Sequence, residues 1–299
     1  MAGTRVRAAA VDIGSNTLRL LVRDDASELE RRTDVVGLGT GVDASGLLSD
    51  AAMERAAAVL AEYGVRIREL RVERVRAVAT SASRDASNVE TFLDRTASLL
   101  GMRPEVITGA EEAALSFAGV AGAVAGHGPA LVIDPGGGST EFVFGISSVE
   151  SSRSIDIGSV RLTERMMPNR PATGAEVVAA REHVAAMFAA VPLPPKPYRV
   201  IGVGGTFTSL AAIHLDLQSY DRQQVHGTTL TLGNLDALVD RLSGFTIAET
   251  AAIPSLDPKR APVLLAGAVV AAEAVRHVGT TVTVSEFDLL DAIAEGLLR

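Results

Sequence analysis

Cysteine is absent from the 299-residue chain, which excludes disulfides and thiolate chemistry. Long hydrophobic runs are missing too. No stretch of about 18 uncharged apolar residues occurs, and the N-terminal RVRAAAVDIG reads as a strand rather than a signal sequence. No membrane partner is expected, and the cytoplasm is the expected location. Positive charge is in deficit: the formal net charge of −8 gives no global field for a polyanion, so no nucleic-acid partner is expected. A polyphosphate ligand would need clustered Arg and Lys, or metal ions. The P-loop motif GxxxxGK[ST] and the dinucleotide motif GxGxxG are also lacking. What remains is a chain with 47% hydrophobic residues, enough for one large core or two smaller ones, and its length favours two domains.

The most informative stretch is LVIDPGGGSTE, Leu131 to Glu141. A buried-type strand runs into an acid, three glycines, two hydroxyls and a second acid. Gly136, Gly137 and Gly138 lack Cβ atoms and can let backbone N–H groups close around an anion. Asp134 and Glu141 supply the oxygen ligands that Mg²⁺ favours. A plain glycine-rich hairpin turn is the competing reading of the same residues.

A second copy of this plan lies near the start. Ala8 to Asp12, the turn GSNT and Leu18 to Val22 read as strand, turn, strand, with Asp12 placed 122 positions (134 − 12) before Asp134. Two such hairpins, one per domain, suit the grip of one phosphate chain. Between them, the pattern predicts a strand Glu28 to Val36, a glycine-rich loop Gly37 to Gly46 and a helix from Ser49 towards Leu70. A strand Val75 to Ala79, a polar turn TSASRDASN, a helix ending near Gly101, a strand at Val106 and Ile107, and a helix Ala110 to Val120 complete the alternation. The small-residue segment Ala121 to Pro129 is read as the interdomain connection, giving domains 1–124 and 125–299. In the second half, strands are expected at Leu131–Asp134, Phe142–Gly145, Ser151–Ile157, Tyr198–Val203 and Val282–Ser285. Helices are expected at SVRLTERM, after the Thr173/Glu176 capping box, after the turn GVGGTFTSL, and along the remaining apolar segments to Leu298. Gly204, Gly205 and Thr206 open one of these helices and can present N–H groups to an anion.

DIGSNT, ATSASRDASN, ITGAEEAAL, DPGGGSTE, IDIGSVRLTE and GVGGTFTSL occur in the order and at about the spacing of one known family. Through them the chain resembles the exopolyphosphatase and guanosine pentaphosphate phosphohydrolase family of the actin-like, sugar-kinase and Hsp70 ATPase superfamily, over nearly its whole length. The resemblance implies an α/β fold of two ribonuclease H-like domains with the active site in the cleft between them. It also implies Mg²⁺-dependent removal of a terminal phosphate from polyphosphate or guanosine pentaphosphate. The chain looks like the short, two-domain form of the family, from which a preference for short polymers is expected. A homodimer is left open as a further partner.

Such hydrolysis needs a positioned water, an acceptor for its proton, and positive charge on phosphate oxygens. By family position Glu112 is the expected base, with Glu111 beside it capping or solvating the helix; complementing the helix dipole is the plain alternative for both. Asp134 and Glu141 are expected at the metal, Glu141 also orienting the attacking water, and Asp12 is expected to touch the same ion or merely to cap its turn. Gly14, Ser15, Asn16 and Thr17 on one side and Gly137, Gly138, Ser139 and Thr140 on the other are expected to cradle phosphate. Arg84 matches the family's phosphate-clamping arginine, with a surface ion pair to Asp85 as the alternative. Arg19 and Arg161 are weaker candidates, the latter on a short exposed helix, and His226 is read as structural. Three departures bear on substrate identity: Pro135 for the usual aliphatic residue, Ala114 where an arginine is common, and LLDAIAEGLL without the arginine that often precedes its EG. Two rival functions stand beside hydrolysis: an ATP-dependent phosphotransferase of the same superfamily, and a non-catalytic sensor of guanosine tetra- or pentaphosphate.

Overall fold

The computed structural model describes residues 6–121 and 128–299, so the boundary expected at 124/125 and most of the expected connection fall outside the described residues. Two compact units emerge, the first made of residues 1–119 and 289–299, the second of residues 120–288.

In the first unit, β1 (Ala8–Ile13), β2 (Thr17–Arg23) and β3 (Glu28–Val35) form an antiparallel meander, while β4 (Arg74–Ala79) and β5 (Glu105–Val106) add in parallel beside β1. The sheet order is therefore β3-β2-β1-β4-β5. Every residue of β1 is buried, as expected of a central strand covered on both faces. Alternate residues feed different cores. Ala9, Val11 and Ile13 join the larger one under the helices α1 (Val42–Ser45), α2 (Asp50–Glu69), α3 (Ser81–Asp85) and α4 (Val89–Leu100). The helix α5 (Gly109–Ala121) follows β5.

Two details of this half depart from the sequence reading. The glycine-rich loop contains the four-residue helix α1, and the polar turn TSASRDASN contains α3. Ser- and Asp-rich composition disfavours helix, but tertiary bonds override it here: Ser15 Oγ accepts from the Ala82 N–H at 3.1 Å, and Arg84 Nη1 donates to the Ile107 carbonyl at 3.1 Å.

The second unit repeats the plan. β6 (Ala130–Pro135), β7 (Thr140–Gly145) and β8 (Val149–Ile155) form a meander; α6 (Ser159–Met166) and α7 (Gly174–Phe188) follow; β9 (Arg199–Gly202) then pairs parallel to β6. After α8 (Gly204–His214) and α9 (Arg222–Val225) come β10 (Thr229–Leu230), α10 (Leu232–Ser243), α11 (Ile247–Ala251), α12 (Ala261–Val278) and β11 (Val282–Val284), which lies parallel to β9. The order β10-β11-β9-β6-β7-β8 is the first sheet's order read in reverse with β10 added at one edge. Both units therefore carry the ribonuclease H-like topology. With the 3-10 turn that precedes it, α12 is apolar and long enough to cross a membrane, but 78% of that stretch is buried, against α6, α7, α8 and α10, and it serves as the core helix of this unit. Its Gly267 lets α6 and α8 approach: an added Cβ would meet Thr206 Cγ2 at 3.1 Å and Ser159 Cβ at 3.4 Å.

The last helix, α13 (Leu289–Leu298), corrects the expected domain range 125–299. It packs on β1, β2 and β4 of the first unit, where Leu289, Leu290, Ile293 and Ala294 cover Ala10, Leu21, Val78 and Ile107. Those four residues lie on the side of the sheet opposite the larger core, and without α13 an apolar surface would remain in water. Arg31 and the buried Asp291 reinforce the seat with an ion pair at 2.5 Å.

Candidate active site

The two hairpins share a turn geometry. In the first, Gly14 N–H donates to the Thr17 carbonyl at 2.9 Å; in the second, Gly136 N–H donates to the Ser139 carbonyl at 2.9 Å. Register then places corresponding residues opposite each other, Asp12 facing Arg19 and Asp134 facing Glu141. The same two positions thus hold an acid and a base in the first unit but two acids in the second. Arg19 closes on Asp12 Oδ2 through Nε at 2.8 Å and Nη2 at 2.7 Å, so one oxygen of this expected metal ligand is engaged by a cation of its own sheet. Ser15 spends its hydroxyl on α3, and the Asn16 carbonyl takes the N–H groups of Val36 and Gly37. These contacts fix the first turn and, through α3, the place of Arg84.

Arg84 Nη1 donates to Glu112 Oε2 at 2.7 Å. Glu112 sits in the first turn of α5, its side chain 14% exposed and that of Arg84 23% exposed. Neighbouring Glu111 faces elsewhere, bonded to Arg76 at 2.7 Å in a surface group with Glu105. Both adjacent acids thus pair with a guanidinium, Glu112 with Arg84 in a half-buried setting and Glu111 with Arg76 at the surface.

In the second unit the glycine turn is held from outside by the segment IDIGSV. The amides of Ser159, Val160 and Arg161 donate to the carbonyls of Gly136 and Gly137 at 2.8 to 3.2 Å, and Thr140 Oγ1 donates to the Ile157 carbonyl at 2.6 Å. A Cβ on Gly158 would lie 2.6 Å from the Gly137 carbonyl, so only glycine permits this approach. The helix α6 is consequently not the exposed element expected: Ser159, Val160 and Leu162 are buried, and Arg161 is half-buried. Glu141 is 1% exposed, and its Oε1 accepts from Ser139 Oγ at 2.8 Å and from Ser154 Oγ at 2.7 Å.

The expected third glycine turn joins this group. Gly204 has φ +79°, and a Cβ there would fall 2.5 Å from Asp134 Oδ1. Thr206 Oγ1 donates to the Pro135 carbonyl at 2.9 Å, tying α8 to the end of β6. A Cβ on Gly205 would lie 2.0 Å from Arg260 Nη1, so this guanidinium rests on the first turn of α8. Sequence reasoning missed Arg260. The available signal was a lone basic pair, Lys259 and Arg260, set directly before the apolar α12.

Beyond this group, His226 is structural, its Nδ1 accepting from the Glu286 N–H at 3.3 Å and its ring meeting Phe287 edge-on at 5.3 Å. Glu286 also takes bonds from the Tyr220 hydroxyl and from Arg222 Nε at 3.0 Å; burial raises its pKa, and these two partners oppose the rise. Among the described residues no group of three or more His, Cys, Asp or Glu is arranged to hold a metal ion.

Two units of one sheet topology, with a glycine turn beside Asp12 in the first and beside Asp134 and Glu141 in the second, define an α/β protein of two ribonuclease H-like domains. The chain belongs to the Ppx/GppA phosphatase family, whose model matches residues 21–291, and it is accordingly a phosphoanhydride hydrolase. It is 40% identical to exopolyphosphatase 2 of Mycobacterium tuberculosis over 99% of both chains. It is 32% identical to the guanosine-5'-triphosphate,3'-diphosphate pyrophosphatase of Vibrio atlanticus over 83% of this chain and 52% of that protein. The crystal structure of an exopolyphosphatase-like protein matches 98% of this chain and 99% of its own with a TM-score of 0.93 and 35% identity.

Proposed function

We propose that this enzyme removes the terminal phosphate of inorganic polyphosphate, short chains before long ones, and of guanosine pentaphosphate, by attack of a water whose proton passes to Glu112. The observation that carries this reading is the Arg84–Glu112 pair at 2.7 Å. A carboxylate beside a planar guanidinium puts a proton acceptor next to a group suited to phosphate oxygens. The pair must partly open for substrate, and its partial exposure allows that. The name and full-length match of the mycobacterial relative support polyphosphate, and the Vibrio relative supports the guanosine substrate.

Magnesium suits the second hairpin. Asp134 and Glu141 face each other across β6 and β7, and like charges in that relation repel unless a cation lies with them. Mg²⁺ binds through one or two carboxylates together with water and phosphate oxygens, so these two residues would hold it. Bound there, the ion would neutralise charge on the phosphate oxygens. The chain's own groups do the rest: Glu141 orients the water, while Gly14 to Thr17, Gly137 to Thr140 and the first turn of α8, Gly204 to Thr206, offer donors to phosphate. Arg84 and Arg260 add fixed positive charge. Short polymers in the cytoplasm are the proposed substrate.

The test is phosphate release with Mg²⁺ from tripolyphosphate, long polyphosphate, guanosine pentaphosphate and ATP in parallel, by wild type and Glu112→Gln. Tripolyphosphate is expected to turn over fastest, and the variant to lose roughly 10²- to 10⁴-fold in rate while remaining folded. ATP consumption only with an added acceptor would point instead to a phosphotransferase, and tight guanosine pentaphosphate binding without release to a sensor.

A further inference from the structure

The row of facing residues that contains Asp134 and Glu141 continues one strand further, where Ser154 of β8 stands opposite Glu141. Ser154 and Ser139 donate to the same carboxylate oxygen, Oε1, at 2.7 and 2.8 Å. Each oxygen of an ionised carboxylate offers about two acceptor sites, so the two hydroxyls fill Oε1 and fix the plane of the group. Ser139 belongs to the glycine turn itself and moves with it. Ser154 is anchored independently, on an edge strand.

We propose that Ser154 is a positioning residue that holds the Glu141 carboxylate in its working orientation. The proposal rests on the role given above to Glu141. A purely structural role is disfavoured by where Ser154 sits. The ladder between β7 and β8 already joins the strands from Thr140 to Gly145, and Ser154 is exposed, as are Arg153 and Asp156 around it. The acceptor, by contrast, is 1% exposed and lies in the row of the second acid. An exposed serine reaching a buried carboxylate is placed to orient that carboxylate rather than to fill a core.

The experiment compares the full chain with Ser154→Ala and Ser154→Thr by three readouts. These are kcat and KM on tripolyphosphate with Mg²⁺, the affinity for Mn²⁺ in the presence of inorganic phosphate, and the thermal midpoint. For Ser154→Ala, kcat is expected to fall about tenfold with KM within about twofold, and Mn²⁺ affinity to fall about tenfold, as when a ligand's supporting hydrogen bond is removed. Threonine, which keeps the hydroxyl, should restore both, together with any fall in the midpoint that the alanine variant shows. Unchanged kcat and Mn²⁺ affinity in Ser154→Ala would overturn the proposal. So would a loss that threonine does not restore and that accompanies a lowered midpoint. If the wild type released no phosphate from any substrate, the proposed function would fail, and the Mn²⁺ titration alone would decide the role of Ser154: weakening supports it, equal affinity overturns it.

Discussion

Gly204 shows how narrowly single residues are specified around the second hairpin. Its φ of +79° disfavours any side chain, and the space a Cβ would take is held by the Asp134 carboxylate. Gly204→Ala is therefore expected to cost about 1–3 kcal/mol, read by denaturant unfolding. The simplest relief turns Asp134 away, so activity should fall more steeply than stability, with a raised Mg²⁺ requirement as the kinetic sign. The residue scale is also where sequence reading succeeded unevenly. Asp134, Glu141 and the glycines are contiguous, so their chemistry is visible in one string. Glu112 and Arg84 needed a family pattern, because nothing in either local segment says that they meet. Arg260 lies 126 positions (260 − 134) beyond Asp134 and belongs to no glycine motif, and Ser154 reads as one more polar residue on a solvent-facing strand.

Among the elements, several helices of the second unit begin with side-chain caps. Thr173 with Glu176, and Thr246 with Glu249, form reciprocal capping boxes at α7 and α11, and Asp221 caps α9. Backbone N–H donation from Thr173 and Thr246 is the main cause that lowers the pKa of Glu176 and Glu249. For Asp221 the first cause is the Gln224 side chain. A carboxylate whose folded pKa is depressed stabilises fully above its unfolded value, and that contribution disappears as pH falls through the folded value. Acid unfolding should accordingly steepen below about pH 4.3, and Glu176→Gln combined with Glu249→Gln should flatten that limb while altering stability at pH 7 only by the loss of charge at the caps. Thermal midpoints measured between pH 3 and 7 would check this, to the precision of the ordinary carboxylate range (~4). Elements with such local signals were legible beforehand: the capping box at Thr173 and the apolar strands of both hairpins appear in the sequence as they do in the fold. The helix α3 was not legible, because its stability comes from Ser15 and the Ile107 carbonyl rather than from its own composition.

For the molecule as a whole, duplication was readable and its closure was not. The repeated hairpin announces two sheets of one plan, and the order of strands in each agrees. The pattern of α13 shows that one of its faces is buried but does not say against which sheet, and the nearest one in sequence is the wrong choice. A chain ending at Asp288 is expected to lose the cover over Ala10, Leu21, Val78 and Ile107. At about 25 cal/mol per Å² of apolar surface, exposing such a face costs several kcal/mol. Limited proteolysis should then cut first within the first unit, while fragments of the second unit persist.

The placement of α13 also sets an order in time. The ribosome delivers the sheet of the first unit early, yet the residues that shield its second face come only after the second unit. Throughout synthesis of the intervening 169 residues (288 − 119) the nascent first unit has one bare apolar side, a surface that invites chaperones or neighbouring chains. The half that carries Arg84 and Glu112 can therefore be completed only after the second unit has been synthesised.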